Sequence, residues 1–248
     1  MPRIDLNCDL GEGAGHDAAL MPLITSANIA CGAHAGDEAS MRATVALALK
    51  HGVAIGAHPG FADRENFGRR EMLLSPEEIQ VLVLSQIRAL QAITRESGGR
   101  LVHVKPHGAL YNLAARDAVT ARAIAAAVHE ADPRLRLVGL AGSRLLEAGT
   151  AAGLVTVSEV FADRTYQPDG SLTPRDRTGA LMAKAGSAVT QALRLACDGR
   201  VRATDGSELT LKADTLCLHG DGPEAVALAR QVSAALKAGG VLLSPPVG

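Results

Sequence analysis

A chain of 248 residues with 47% apolar and 21% charged side chains has the composition of a globular protein rather than a disordered one. Its 25 basic and 26 acidic residues nearly cancel, and no basic stripe marks a surface for nucleic acid. No apolar run approaches the roughly 20 residues needed to span a bilayer, and with no tryptophan and 2% aromatics there are few stacking platforms for sugars or single strands.

The first element is a strand over residues 4–9, where apolar and polar side chains alternate. The N-terminus carries no signal-peptide pattern. The glycine-rich stretch GEGAG that follows matches neither GxGxxG nor a Walker A loop, so it predicts a flexible turn rather than a nucleotide site. Further strands are expected over 27–31, 53–57, 101–105, 135–140, 155–160 and 215–219.

Helices fill most of the gaps. One spans 41–50 and closes at His51-Gly52. The next opens with Ser75 as N-cap, Pro76 at the first helical position and Glu78 at the third, carries an apolar stripe from Ile79 to Ile93, and ends at Gly98-Gly99. Others are expected over 120–131, 178–197 and 223–238, the last opened by Pro223. Residues 200–212 read as strand, Asp205-Gly206 turn, strand: a hairpin inserted before the last parallel strand. The charged, turn-rich run 161–177 reads as either a solvated loop or a lid. Repeated β-α alternation predicts a parallel sheet with helices outside it, open or closed, in a single domain over 1–248.

The four cysteines form no CxxC pair, which argues against a structural zinc site. Free thiols and the absence of an export signal predict a cytoplasmic protein.

In parallel α/β folds sites form where the strands end, and here the strand ends are polar. They carry Asn7, Asp9 and Glu12; His34; His58; Lys105 and His107; Glu159, Asp163 and Arg164; and His219 and Asp221. Five of the eight histidines lie in or just beyond strands. Strand parity puts Asp5, Asn7 and Asp9 on one face, and likewise His103, Lys105 and His107. Polar side chains aimed together out of an apolar strand are costly to bury alone, so they are expected to line a lumen or pocket. Singly, each has an ordinary structural reading: Asp9 as a loop cap, Asn7 as a satisfied core amide. Lys105 on a central strand needs a partner or a task. His103 and His107 invite a metal reading, as do Asp9, His34 and His58 together. But i and i+4 on a strand stand about 13 Å apart, and no metal is assigned from the sequence.

The stretches DLNCDLGEG, SANIACGAHAGD, GAHPGFADRENFGRR, VKPHGALYN, EVFADRTYQPDGSL and LHGD resemble the LamB/YcsF family nearly from end to end. The resemblance implies a seven-stranded β/α (TIM-like) barrel of the glycoside hydrolase/deacetylase type. It implies the A subunit of an ATP-dependent 5-oxoprolinase, a cyclic amide hydrolase that opens 5-oxoproline to L-glutamate. ATP, with Mg2+, would be a co-substrate rather than a tightly bound cofactor, and subunits B and C would be partners. Under that reading Asp9, Glu12, Lys105 and His107 are the candidate catalytic residues, and Asn7, His34, His58, Tyr111, Arg164 and His219 the candidate substrate-binding residues. The alternative is a metal-dependent deacetylase on the same barrel, with Asp9, His34 and His58 as ligands.

Overall fold

The computed structural model describes residues 1–246 apart from Ala183, Asp221 and Pro223. Six strands come first: β1 (Arg3–Leu10), β2 (Ser26–Ala30), β3 (Ala54–His58), β4 (Leu101–Val104), β5 (Arg136–Leu140) and β6 (Thr156–Phe161). A hairpin of β7 (Arg200–Arg202) and β8 (Glu208–Thr210) intervenes before β9 (Thr215–Leu218) and a short β10 (Leu242–Leu243). The first six strands lie side by side in chain order, and β9 pairs in parallel with both β6 and β1. That double pairing closes the sheet into the expected seven-stranded parallel barrel. β10, which the periodicity does not reveal, adds to the start of β1 through Arg3 and Leu242.

The helices are α1 (Asp17–Leu20), α2 (Glu38–His51), α3 (Pro76–Glu96), α4 (Gly108–Arg116), α5 (Ala118–Ala131), α6 (Arg144–Ala151), α7 (Ala185–Asp198) and α8 (Ala225–Ala238). Local chemistry accounts for several ends. Ser75 and Glu78 form the anticipated capping box on α3, with Ser75 N donating to Glu78 Oε2 at 2.7 Å and Glu78 N to Ser75 Oγ at 3.2 Å. Asp37 caps α2 through Ser40 N at 2.8 Å, and Gly52 ends it in the left-handed conformation with φ 66°. Among the described residues, no helix is long and apolar enough to cross a membrane.

Two readings need correction. The helix expected over 178–197 begins only at Ala185. Residues before it pair instead with the chain after β6: Thr165 N donates to Ala180 O at 3.1 Å and Met182 N to Asp163 O at 2.9 Å. Helices α4 and α6 were not anticipated, because each is short and lacks a long apolar stripe. The helix opening expected at Pro223 and the strand-end Asp221 lie outside the described residues.

The barrel separates apolar from polar burial. Outward-facing Ile4, Leu6 and Cys8 of β1, Ile29 of β2, Val104 of β4 and Leu216 of β9 join Val45, Val83, Leu90, Ile124 and Val232 of the helices in one core. Each such side chain contributes about 1.5–3 kcal/mol when fully buried. The inward face is polar instead: Asp5, Asn7, Ser26, Asn28, His103, Lys105, Glu159 and Thr215 are all buried. The layer at the amino end of the strands is closed by Asp5, which accepts from Thr25 at 2.6 Å, Ser26 at 2.7 Å and Thr215 at 2.5 Å. Burial is the main reason its carboxyl titrates high, near 6, despite those three hydroxyls.

Gly56 is fixed by this lumen. It lies level with Asn28 on one side and His103 on the other. The His103 ring passes over it so that Nε2 reaches Asn28 Oδ1 at 2.8 Å. A Cβ at position 56 would stand 2.0 Å from His103 Nε2. Gly56→Ala is therefore expected to lower stability by about 1–3 kcal/mol or more, read as a drop in the urea midpoint; an unchanged midpoint would contradict this packing.

Candidate active site

The site grows from Lys105, which follows β4 and whose side chain is almost wholly buried in the barrel mouth. Its Nζ stands 2.9 Å from Asp9 Oδ1, 2.8 Å from Glu159 Oε1, 3.3 Å from Asn7 Oδ1 and 3.1 Å from Cys217 Sγ. An ammonium has three donors, so all are engaged. Burial opposes the charge on Lys105, but Asp9, Cys217 and Glu159 raise its pKa well above the usual lysine value.

Around it the polar side chains hold one another. Asn28 Nδ2 donates to Asn7 Oδ1 and Asp9 Oδ1, both at 2.8 Å. Asn7 Nδ2 donates to Glu159 Oε1 at 3.0 Å and to Thr215 Oγ1 at 2.6 Å. Tyr111, from α4, donates its hydroxyl to Glu159 Oε2 at 2.7 Å. Burial penalises the Asp9 anion, yet His58 and Lys105 hold its carboxyl well below the usual range. Burial likewise opposes the Glu12 anion, and its contacts with His107 and His34 hold it low.

A histidine cluster lies beside this network. His58 Nδ1 donates to the backbone carbonyl of Lys105 at 2.7 Å, and His107 Nε2 donates to that of Phe67 at 2.8 Å. Those contacts fix which nitrogen of each ring carries hydrogen. The remaining nitrogens, His58 Nε2 and His107 Nδ1, face each other at 3.0 Å. Glu12 Oε1 is 3.3 Å from His107 Nδ1, 3.8 Å from His58 Nε2 and 3.1 Å from His34 Nε2. Burial lowers the pKa of His34 to about 4, and it lowers that of His107. On the far side His219 Nδ1 pairs with Asp163 at 2.8 Å and its ring stacks on Phe161.

The site opens onto a cavity of about 890 Å³. Asp9, Glu12, His58, Lys105, His107, Tyr111, Arg164 and His219 line it. Asn7 and His34, expected to touch substrate, do not: Asn7 lies one layer deeper, holding Glu159, and His34 lies behind Glu12. Arg164 lines the cavity, but its Nε and Nη2 donate to the carbonyls of Ala180 and Thr173. The run 161–177 is neither wholly a solvated loop nor a separate cover. Tyr166 is fully buried and anchors it, accepting from Phe161 N at 2.7 Å, while Leu172 and Arg175 form cavity wall. Gln191 of α7 donates to the carbonyls of Phe161, Ala162 and Arg164.

Sequence reasoning passed over two members. Asn28 could have been found, since Ser26 and Asn28 share strand parity in SANIA as Asn7 and Asp9 do in β1. The Phe67 carbonyl could not: it depends on a left-handed backbone, φ 55°, at a non-glycine residue. His103 and His107 do not share a site, because His103 turns into the lumen towards Asn28. The triad Asp9, His34 and His58 is also redrawn, with Glu12 and His107 joining the two histidines.

A closed parallel β/α barrel whose strand ends gather four carboxylates, a buried lysine and several histidines beside one cavity defines the class: a barrel with a polar site at its carboxyl face. The chain belongs to the LamB/YcsF family, whose family model matches residues 4–247. It is 54% identical over 250 residues to the A subunit of 5-oxoprolinase from Geobacillus kaustophilus, covering 99% of this chain and 98% of that one. It is 57% identical over 243 residues to the corresponding A subunit from Methylococcus capsulatus, covering 96% and 94%. The crystal structure of a lactam utilization protein from Thermus thermophilus superposes with a TM-score of 0.92 at 49% identity, covering 98% of this chain and 99% of that one.

His103 gives the site's surroundings a measurable acid sensitivity. Burial, then the Lys105 charge, lowers its pKa to about 3. The unfolded chain therefore binds a proton below about pH 6.5 that the folded chain refuses. Stability is full above that pH and falls as pH drops towards 3. His103→Gln is expected to remove about 2 kcal/mol of the loss between pH 7.5 and 5, measured by urea unfolding at both pH values. Parallel losses in the two proteins would show that His103 is protonated when folded.

Proposed function

We propose that this chain is the A subunit of an ATP-dependent 5-oxoprolinase, opening 5-oxo-L-proline to L-glutamate as ATP becomes ADP and phosphate, together with subunits B and C. The observation that carries the reading is near end-to-end similarity, at 54% and 57% identity, to relatives named as the A subunit of 5-oxoprolinase. The cavity chemistry suits it. A five-membered lactam is a resonance-stabilised amide, and opening it calls for activation of the carbonyl oxygen, a base for water and a setting that stabilises developing charge. Phosphoryl transfer from ATP to the amide oxygen would supply the activation. Water then adds to the same carbon and the ring C–N bond breaks with a proton going to nitrogen, leaving an acyl phosphate that a second water hydrolyses to the carboxylate and phosphate.

Within this chain Asp9 is the group placed to take the proton from water. Its Oδ1 is held by Lys105 and Asn28, which leaves Oδ2, 3.4 Å from His58 Nε2, on the cavity side. Lys105 acts through Asp9 and Glu159 rather than on substrate, since its donors are spent on them. His58 and His107 are left to meet charge on the lactam oxygen or the phosphate. The chain has no GK[ST] phosphate loop, so the ATP step depends on B and C.

The test is glutamate release from 5-oxoproline and ATP, with this chain alone and then with B and C. Release only in the mixture is expected. Asp9→Asn should lower that rate by roughly 10²–10⁴-fold while circular dichroism stays native; full activity would remove Asp9 from the mechanism. No glutamate from folded proteins in either mixture would favour the deacetylase alternative.

A further inference from the structure

Glu12, His58 and His107 form a prepared set of donors. Both imidazoles have the outer nitrogen tied to a backbone carbonyl, Lys105 O for His58 and Phe67 O for His107. That is the outer-shell contact by which metal-binding histidines are oriented and their tautomer set. With both rings neutral it leaves two lone pairs facing each other at 3.0 Å, a contact that calls for a proton or a cation between them. Glu12 Oε1 completes the triangle at 3.3 Å and 3.8 Å from the same two nitrogens. Donors at 2.0–2.2 Å around a tetrahedral ion stand roughly 3.3–3.6 Å apart, and the three separations bracket that range.

The local charge points the same way. Asp9, Glu12 and Glu159 converge on the barrel mouth with Lys105 as the one ammonium among them. Such a group is short of positive charge in a setting that screens poorly.

We propose that Glu12, His58 and His107 bind one divalent first-row transition-metal ion, Zn2+ being the ion this donor set suits best. His34 belongs to the outer shell. Its ring is stacked on His107 with planes 4° apart, so its in-plane lone pair cannot aim at the same point, and its Nε2 instead donates to Glu12 at 3.1 Å. All three ligands line the cavity and His34 does not. The fourth position of the ion therefore opens onto the cavity, where water or an oxygen of a bound molecule takes it. The site is distinct from the Asp9, Cys217 and His219 group, which also brings donors together and is the natural comparison.

The experiment uses the full chain after chelator treatment, titrated with Co2+ and followed by its visible absorption, with Zn2+ as competitor. One equivalent is expected, with the intense bands of a four-coordinate ion, displaced by Zn2+. Glu12→Gln and His107→Gln should each weaken Co2+ binding by tenfold or more, whereas His219→Gln should leave it unchanged. Should a ligand variant fail to fold, histidine 15N resonances of the unaltered chain serve instead: Zn2+ should shift His58 Nε2 and His107 Nδ1 and leave His103 in place. Absence of binding, or binding lost in His219→Gln but kept in His107→Gln, overturns the proposal. In the first case the two histidines share a proton; in the second the ion lies in the other group.

Discussion

The ammonium of Lys105 is the constraint around which the barrel mouth is arranged. A buried cation is tolerated only where anions and dipoles replace the water it has lost. Here the replacements come from different strands: Asp9 and Asn7 from β1, Glu159 from β6 and Cys217 from β9. One charge therefore ties together elements far apart in sequence. It also dictates what the neighbours do, since Asn28 shares with it the Oδ1 atoms of Asp9 and Asn7, and Tyr111 holds the free oxygen of Glu159. Removing either partner of such a pair leaves an uncompensated buried charge, so the network is held together by mutual necessity rather than by the worth of any single bond.

This arrangement explains why the molecule buries most of its apolar residues outside the barrel. Many β/α barrels fill the lumen with branched aliphatic side chains. This lumen holds amides, carboxylates, His103 and Lys105 beside a few apolar side chains such as Val157 and Leu140, while most Leu, Ile and Val face the helices. The helical shell supplies the stability, and the interior is free to hold strained electrostatics near the cavity. Gly56 shows how closely that interior is fitted: the strand gives up a side chain so that His103 can cross it.

Much of this was legible in the residues. Strand parity exposed the polar face of β1 and β4, and the capping box of α3 was written in Ser75, Pro76 and Glu78. The strand ends named most of the groups that meet at the cavity. What stayed hidden depends on distance. β10 is two residues long and gains its identity only by lying against β1. Glu12 sits in a glycine-rich turn whose sequence suggests nothing but flexibility, and its closeness to three histidines is a product of closure. The tautomers of His58 and His107 rest on backbone carbonyls, which no side-chain pattern records.

Gln191 links the outside of the molecule to its site. From α7 its single amide nitrogen grips three carbonyls of the segment that forms the cavity wall, at Phe161, Ala162 and Arg164. Arg164 in turn grips Thr173 and Ala180. Helix and wall are thus tied together: α7 is joined through these carbonyls to the end of β6, where the ring of Phe161 lies stacked on His219.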